Sequence, residues 1–187
     1  MNPNPDSRLR AWKAISAFAL PAVIVIALDL WTKDAIFKFL RVESVGDPPR
    51  VARQAEFIII PGFFDLQANY NYGAFSGLFR EHTGILSAVS ALAIAVIAGI
   101  FIAQFRRGRT PGLVFSLSLG LLLGGTTGNL YDRAVLGAVR DWVKWFFVVD
   151  GREYVWPNFN VADSAICVGV GLLIFSEIWS ALRAKRS

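Results

Sequence analysis

Four stretches of the chain lose nearly all of their polar side chains. The first, Ala14 to Trp31 (AISAFALPAVIVIALDLW), is apolar until Asp29 near its end. Gly84 to Phe105 carries no charge, and Gly112 to Tyr131 is uncharged but rich in Gly, Ser and Thr. Val161 to Leu182 holds Asp163 in its first turn and Glu177 near its end. Each run approaches the ~20 residues that cross a hydrocarbon core as a helix. Buried helices of a soluble domain are the competing reading. Four such runs in 187 residues, two of them without a charge, predict a membrane bundle instead.

The polar intervals have a patterning of their own. Thr32 to Thr83 contains turn-rich GDPP at Gly46–Pro49 and then EFIIIPGFFDLQANYNYGAFSGLF. Its β-branched and aromatic residues, alternation and glycines predict short strands. Asp132 to Asn160 includes DWVKWFFVVDGREYVWPNFN, with aromatic residues suited to a membrane interface and a hairpin signal at Asp150–Gly151. The expected fold is a mainly α membrane protein. It is read as one integral-membrane domain, 1–187, with transmembrane helices at about 14–31, 84–105, 112–131 and 161–182. A small extracytoplasmic β-rich cradle is expected between helices 1 and 2. The outer segments would be about 32–83 and 132–160, and the inner loop about 106–111.

Composition agrees: hydrophobic residues make up 55% and charged ones 18%, against about 25% in an average soluble domain. The net charge of +5 invites a nucleic-acid reading until the charges are located. Arg8, Arg10 and Lys13 precede the first run, Arg106, Arg107 and Arg109 separate the second from the third, and Arg183, Lys185 and Arg186 follow the fourth. Those segments contain a single acid, Asp6. An even number of spans puts all three clusters on one side, which the positive-inside rule assigns to the cytoplasm together with both termini. The charge thus reports topology, and no nucleic-acid partner is expected. The first run is too long for a cleavable signal peptide, lacks a small-residue cleavage site and ends in DLWTKD.

Cys167 is the only cysteine and His82 the only histidine. An intrachain disulfide, a Cys-based zinc site, His-dependent triads and most transition-metal chemistry are thereby excluded, and no metal or cofactor is expected. What remains is carboxylates. Asp29 and Lys33 share a helical face at the outer end of the first span, and Asn129 and Arg133 do the same on the third. Asp141 follows in the outer loop, Asp163 opens the fourth span, and Asn71 belongs to the outer strands. All gather at one depth, where unpaired charges are costly and ionisable residues are functional candidates. One reading is an aspartic dyad, in which one carboxylate activates water while the other, protonated, hydrogen-bonds the scissile carbonyl. Another is purely structural: Asp29–Lys33 and Asp132–Arg133 pairs, with Asp163 as a helix N-terminal charge. A third is a small proton- or ion-coupled transporter with Asp29, Asp163 and Glu177 as a relay, although a relay wants acids spread across the membrane.

The blocks GNLYDR, VRDW and FNVADSAI resemble the signatures of lipoprotein signal peptidase, the bacterial type II signal peptidase. DLWTK resembles that family's Asp-x-x-x-Lys block and NYGAFS its Asn-x-Gly block, so the resemblance spans essentially the whole chain. It implies an aspartic endopeptidase of the bacterial inner membrane that cuts diacylglyceryl-modified prolipoproteins just before the lipidated cysteine. By the same resemblance Asp141 and Asp163 are the catalytic dyad. Asn129, Arg133, Asn160 and Ala162 match the blocks around it, Asp29 and Lys33 match a supporting block, and Asn71 and Gly73 match a substrate-contacting turn. The partners implied are prolipoprotein substrates and membrane lipid, and a monomer is expected. Three departures stand out. NYGAF is one residue shorter than the usual block, which bears on Ala74 to Ser76. Arg140 sits beside Asp141, where its cation would lower the acid's pKa if turned inward. The segment between the first two spans is long, which suggests a larger cradle.

Overall fold

The computed structural model of the protein describes residues 4–53, 55–73 and 83–184. Four long helices carry the apolar runs: α1 Pro5–Phe39, α2 Thr83–Arg106, α3 Leu113–Leu136 and α4 Val161–Ala184. With two small antiparallel sheets, they make a mainly helical, multi-pass membrane protein. Helix α1 outruns the apolar stretch 14–31 at both ends. Asn4 caps its start by accepting the Asp6 N–H, with Pro5 in the first turn. At the other end Asp29, Lys33 and Phe37 continue one buried face at i, i+4 and i+8. Arg41 then turns left-handed (φ 50°) and the Val42 N–H closes on the Phe37 carbonyl at 3.0 Å, ending the helix. Thirty-five residues span ~52 Å, well beyond a ~30 Å hydrocarbon core.

Helix α3 lies at the centre of the bundle, packed on α1, α2 and α4. Small residues explain that position. A Cβ at Gly124 would lie 2.8 Å from the Ala22 carbonyl of α1, and one at Gly128 2.5 Å from the Asp29 carboxylate. Gly125 faces the Ala162 carbonyl of α4 at a distance no side chain could occupy. Backbones therefore meet directly, as small-residue contacts between membrane helices allow. Polarity is inverted relative to a soluble core. Among the described residues the largest fully buried side chains are Lys33, Val139, Asn160, Asp29, Asp132, Asp141, Ser116 and Ser118, while Val23, Leu92 and Phe175 are 60% or more exposed. Lipid solvates the outside, so packing, hydrogen bonds and ion pairs must hold the inside.

Outside the bundle, β1 (Ser44–Val45) and β2 (Arg50–Val51) form a two-stranded hairpin. The larger sheet runs β3–β4–β5–β6, all antiparallel: Glu56–Ile60, Phe64–Asn71, Val139–Val149 and Arg152–Val155. The cradle expected between the first two helices is thus extended by a hairpin from between α3 and α4. That hairpin turns at Asp150 and Gly151, both with positive φ (50° and 73°), the geometry an Asp-Gly two-residue turn supplies. Register leaves Phe57, Trp145, Phe147 and Tyr154 about half exposed on one side. Phe57 meets Phe39 of α1 edge to face at 5.2 Å, so this apolar side continues the helix surface. On the opposite side Lys144 reaches Glu56 at 2.8 Å and Glu153 at 3.1 Å, tying three strands together.

Candidate active site

The polar residues of the bundle converge where α1, α3, α4 and β5 meet. Two turns deliver the carboxylates. Gly137, left-handed at φ 71°, caps α3 with its N–H on the Arg133 carbonyl at 3.0 Å and sends the chain straight into β5. Pairing with β4 sets Asp141 opposite Asn69, beyond a register shift after Leu66 that re-aims the strand. Asp163 is fixed by its own helix start. Asn160 Oδ1 accepts the Asp163 N–H at 3.0 Å, and Asp163 Oδ2 accepts the Asn160 N–H at 3.2 Å, a reciprocal cap of the S/T-x-x-E kind.

Asparagine amides join the two acids. Asn160 Nδ2 donates to Asp141 Oδ1 at 2.8 Å and to Asn129 Oδ1 at 3.1 Å. Asn129 Nδ2 donates to Asp163 Oδ1 at 2.7 Å, while its oxygen also accepts Lys33 Nζ at 3.1 Å. Asn71 Nδ2 donates to Asp141 Oδ2 at 3.0 Å, with its oxygen occupied by the Gly73 N–H at 3.0 Å. In each case donors on the amide oxygen leave the NH2 to face a carboxylate. Asp141 is 1% exposed. Burial first, and the neighbouring Asp163 carboxylate second, push its carboxyl up to about 8 against the pull of the Asn71 amide, Lys33 and Asn160.

A second, wholly buried layer lies behind. Lys33 Nζ sits 2.6 Å from Asp29 Oδ2 and 3.3 Å from Asp132 Oδ2. Asp29 Oδ1 accepts the Ala162 N–H at 2.9 Å, so α1 holds the first turn of α4 beside Asp163. Asp132 takes Arg140 through both the backbone N–H at 3.0 Å and the guanidinium at 2.8 Å. Arg133 points elsewhere. Its Nη2 donates to the Gly73 carbonyl at 3.3 Å, and its buried Nε has no hydrogen-bond partner among the described residues.

All ten residues singled out in the sequence meet in this one network: Asp29, Lys33, Asn71, Gly73, Asn129, Arg133, Asp141, Asn160, Ala162 and Asp163. Ala74 to Ser76 of the shortened block lie outside the described residues. Three readings of the sequence are corrected. Arg140 does not act on Asp141: neighbours on a strand face opposite sides, and its guanidinium is spent on Asp132. Asp132 pairs with Lys33 and Arg140 rather than with Arg133, because adjacent helical residues point apart. The relay does not form either, since Glu177 is exposed while Asp29 is buried and Asp163 half-buried in the cluster around Asn129 and Asn160. The sequence carries no local signal for Asp132 as the anchor of Lys33, because its i+8 partner Arg140 lies across the helix-to-strand turn, where no periodicity holds. Among the described residues no group of three His, Cys, Asp or Glu side chains is spaced to hold a metal ion.

Comparison with known proteins matches this chain to one family. A family profile described as Signal peptidase (SPase) II matches residues 21–179. A lipoprotein signal peptidase of Symbiobacterium thermophilum is 39% identical over 80% of this chain and 90% of its own. The Solibacter usitatus protein of the same description is 36% identical over 97% and 96%. A solved structure described as a bacterial membrane enzyme, determined by the in meso method, superposes with a TM-score of 0.69 at 26% identity, covering 87% of each chain.

Proposed function

The chain belongs to the signal peptidase II family, and from that premise we propose that it removes signal peptides from prolipoproteins as an aspartic endopeptidase, with Asp141 and Asp163 as its catalytic pair. The observation that carries this reading is the shared amide of Asn160. It links a carboxyl held up to about 8 on β5 to the helix cap that fixes a second carboxylate on α4. Near neutral pH the pair keeps one proton, as close carboxylates do. That proton rests on Asp141. In this assignment Asp163 is the base, oriented by the Asn129 amide and the Asn160 N–H at the start of α4.

The chemistry follows from that asymmetry. Asp163 takes a proton from water as the water oxygen bonds to the scissile carbonyl carbon, and Asp141 donates its proton to the carbonyl oxygen. Collapse of the tetrahedral intermediate breaks the C–N bond; the amine leaves with the proton held by Asp163, and Asp141 recovers its own. Asn71 and Asn129 orient the acids without adding charge, and Arg133 fastens the Gly73 carbonyl that follows Asn71.

The substrates in this reading are diacylglyceryl-modified prolipoproteins, cut just before the lipidated cysteine. Acyl chains on that cysteine stay in the bilayer, so the scissile bond waits at the interface where the acids lie. Basic residues at both termini and between α2 and α3 favour a cytoplasmic location for those segments and a site near the extracytoplasmic face of the inner membrane. Asp141→Asn and Asp163→Asn are each expected to abolish cleavage of a diacylglyceryl prolipoprotein, by about 10^4-fold or more, in inserted and folded enzyme. Retained turnover in either variant refutes the pair. Equal cleavage of an unlipidated precursor refutes the lipid requirement.

A further inference from the structure

We infer that Tyr72 is a positioning residue and that the β1–β2 hairpin acts through it as a strap, holding Asn71 against Asp141. The strap is the segment between α1 and β3. It crosses toward the end of β4 and meets it at two tyrosines. The Ser44 hydroxyl and the Tyr70 phenol hydrogen-bond at 2.9 Å, and the Tyr70 ring packs edge to face on Phe37 of α1 at 5.3 Å. The Tyr72 phenol donates to the Pro49 carbonyl. Between the hairpin and β4 lies a cleft of about 340 Å³ lined by Arg50, Gln67, Tyr70 and Tyr72 among others. The hairpin is therefore fastened at its rim by hydrogen bonds rather than by a packed core. Those fastenings flank Asn71. Immediately after Tyr72, the Gly73 N–H fixes the Asn71 oxygen and the Gly73 carbonyl holds Arg133. With its oxygen bound, the Asn71 amide can only present N–H to Asp141, at 3.0 Å. Freeing Tyr72 releases the peptide that enforces this.

The inference rests on the catalytic pair proposed above. The test is a cycle of Tyr72→Phe, Asn71→Ala and the double variant, assayed on a diacylglyceryl prolipoprotein across pH. Tyr72→Phe is expected to lower kcat about five- to tenfold with little change in KM, the scale of one positioned hydrogen bond. Asn71 pulls the Asp141 pKa down, so its misplacement raises that pKa and moves the basic limb of the profile to higher pH. Asn71→Ala should move the limb the same way, and Tyr72→Phe should add nothing to it. An unmoved limb in Tyr72→Phe, or additive losses in the double variant, overturns the positioning role whatever happens to the thermal midpoint. Turnover in Asp141→Asn would instead overturn the catalytic pair, so the two failures are distinguishable.

Discussion

Asn160 holds Asp141 by donating from its amide at 2.8 Å while its oxygen caps the helix that carries the partner acid. One side chain thus sets both the strand-borne and the helix-borne carboxylate. Asn160→Ala should lose about 10^2-fold in cleavage, the scale of two hydrogen bonds to ionisable groups, and about 1 kcal/mol of stability from the lost cap. Asn160→Asp restores the cap oxygen but not the donor. It also turns a buried carboxylate on Asp141 and on the Asn129 and Arg140 oxygens, so neither thermal midpoint nor kcat should recover, and a recovered kcat would show the amide to be dispensable.

The pH profile should reveal the protonated acid. In the proposed mechanism Asp141 must hold its proton to donate, and burial raises its carboxyl to about 8. Activity should therefore fall as pH rises through about 8. Stability carries the same sign: a raised carboxyl binds its proton more tightly folded than unfolded, so its contribution is lost as pH climbs toward about 8. Asn has no charge to bury. The thermal midpoint of Asp141→Asn should exceed that of wild type by a margin that widens from pH 5 to pH 8 and then levels. A margin independent of pH would contradict the raised pKa.

Lys33 is wholly buried between Asp29 and Asp132. Lys33→Met strands the Asp29 carboxylate in the interior, while Asp132 keeps the Arg140 guanidinium, and should cost about 3–5 kcal/mol. Adding Asp29→Asn should recover part of that loss, because one stranded charge disappears. Equilibrium unfolding in detergent measures both; a double variant no better than the single would argue against the pair.

Close backbone contact gives a steric prediction. Gly124→Ala would bring a Cβ to 2.8 Å from the Ala22 carbonyl, whereas Gly171 has nothing within 4 Å. Gly124→Ala should destabilise by about 1–3 kcal/mol and lower cleavage by shifting α1 and its Asp29 contact to Ala162. Gly171→Ala should match wild type in both assays.

Much of this was legible in order along the chain. Hydropathy gave the four helices because lipid-facing surface must be apolar whatever packs inside. Asp29 and Lys33 were readable as partners because i, i+4 spacing is a local property. Asp150–Gly151 was readable because a tight turn needs positive φ at both residues. Contacts that cross elements were not legible in this way. Arg140 looked like a neighbour of Asp141, yet strand pleating turned it toward Asp132 on another element. The pairing of β4 with β5 joins segments on either side of two helices, and no local pattern announces it.

The polar interior also has a history. In α1 the charges of Asp29 and Lys33 cancel within one turn, so this helix can enter a bilayer carrying its own counter-ion. Helix α4 brings Asp163 with no cation of its own near that end, and the acid meets Asn129 only when α3 arrives beside it. Insertion and association thus ask for different chemistry from the same residues: neutrality first, polarity afterwards. The bond that joins Asn129 to Asp163 crosses between helices, so it exists only where α3 and α4 have closed on one another.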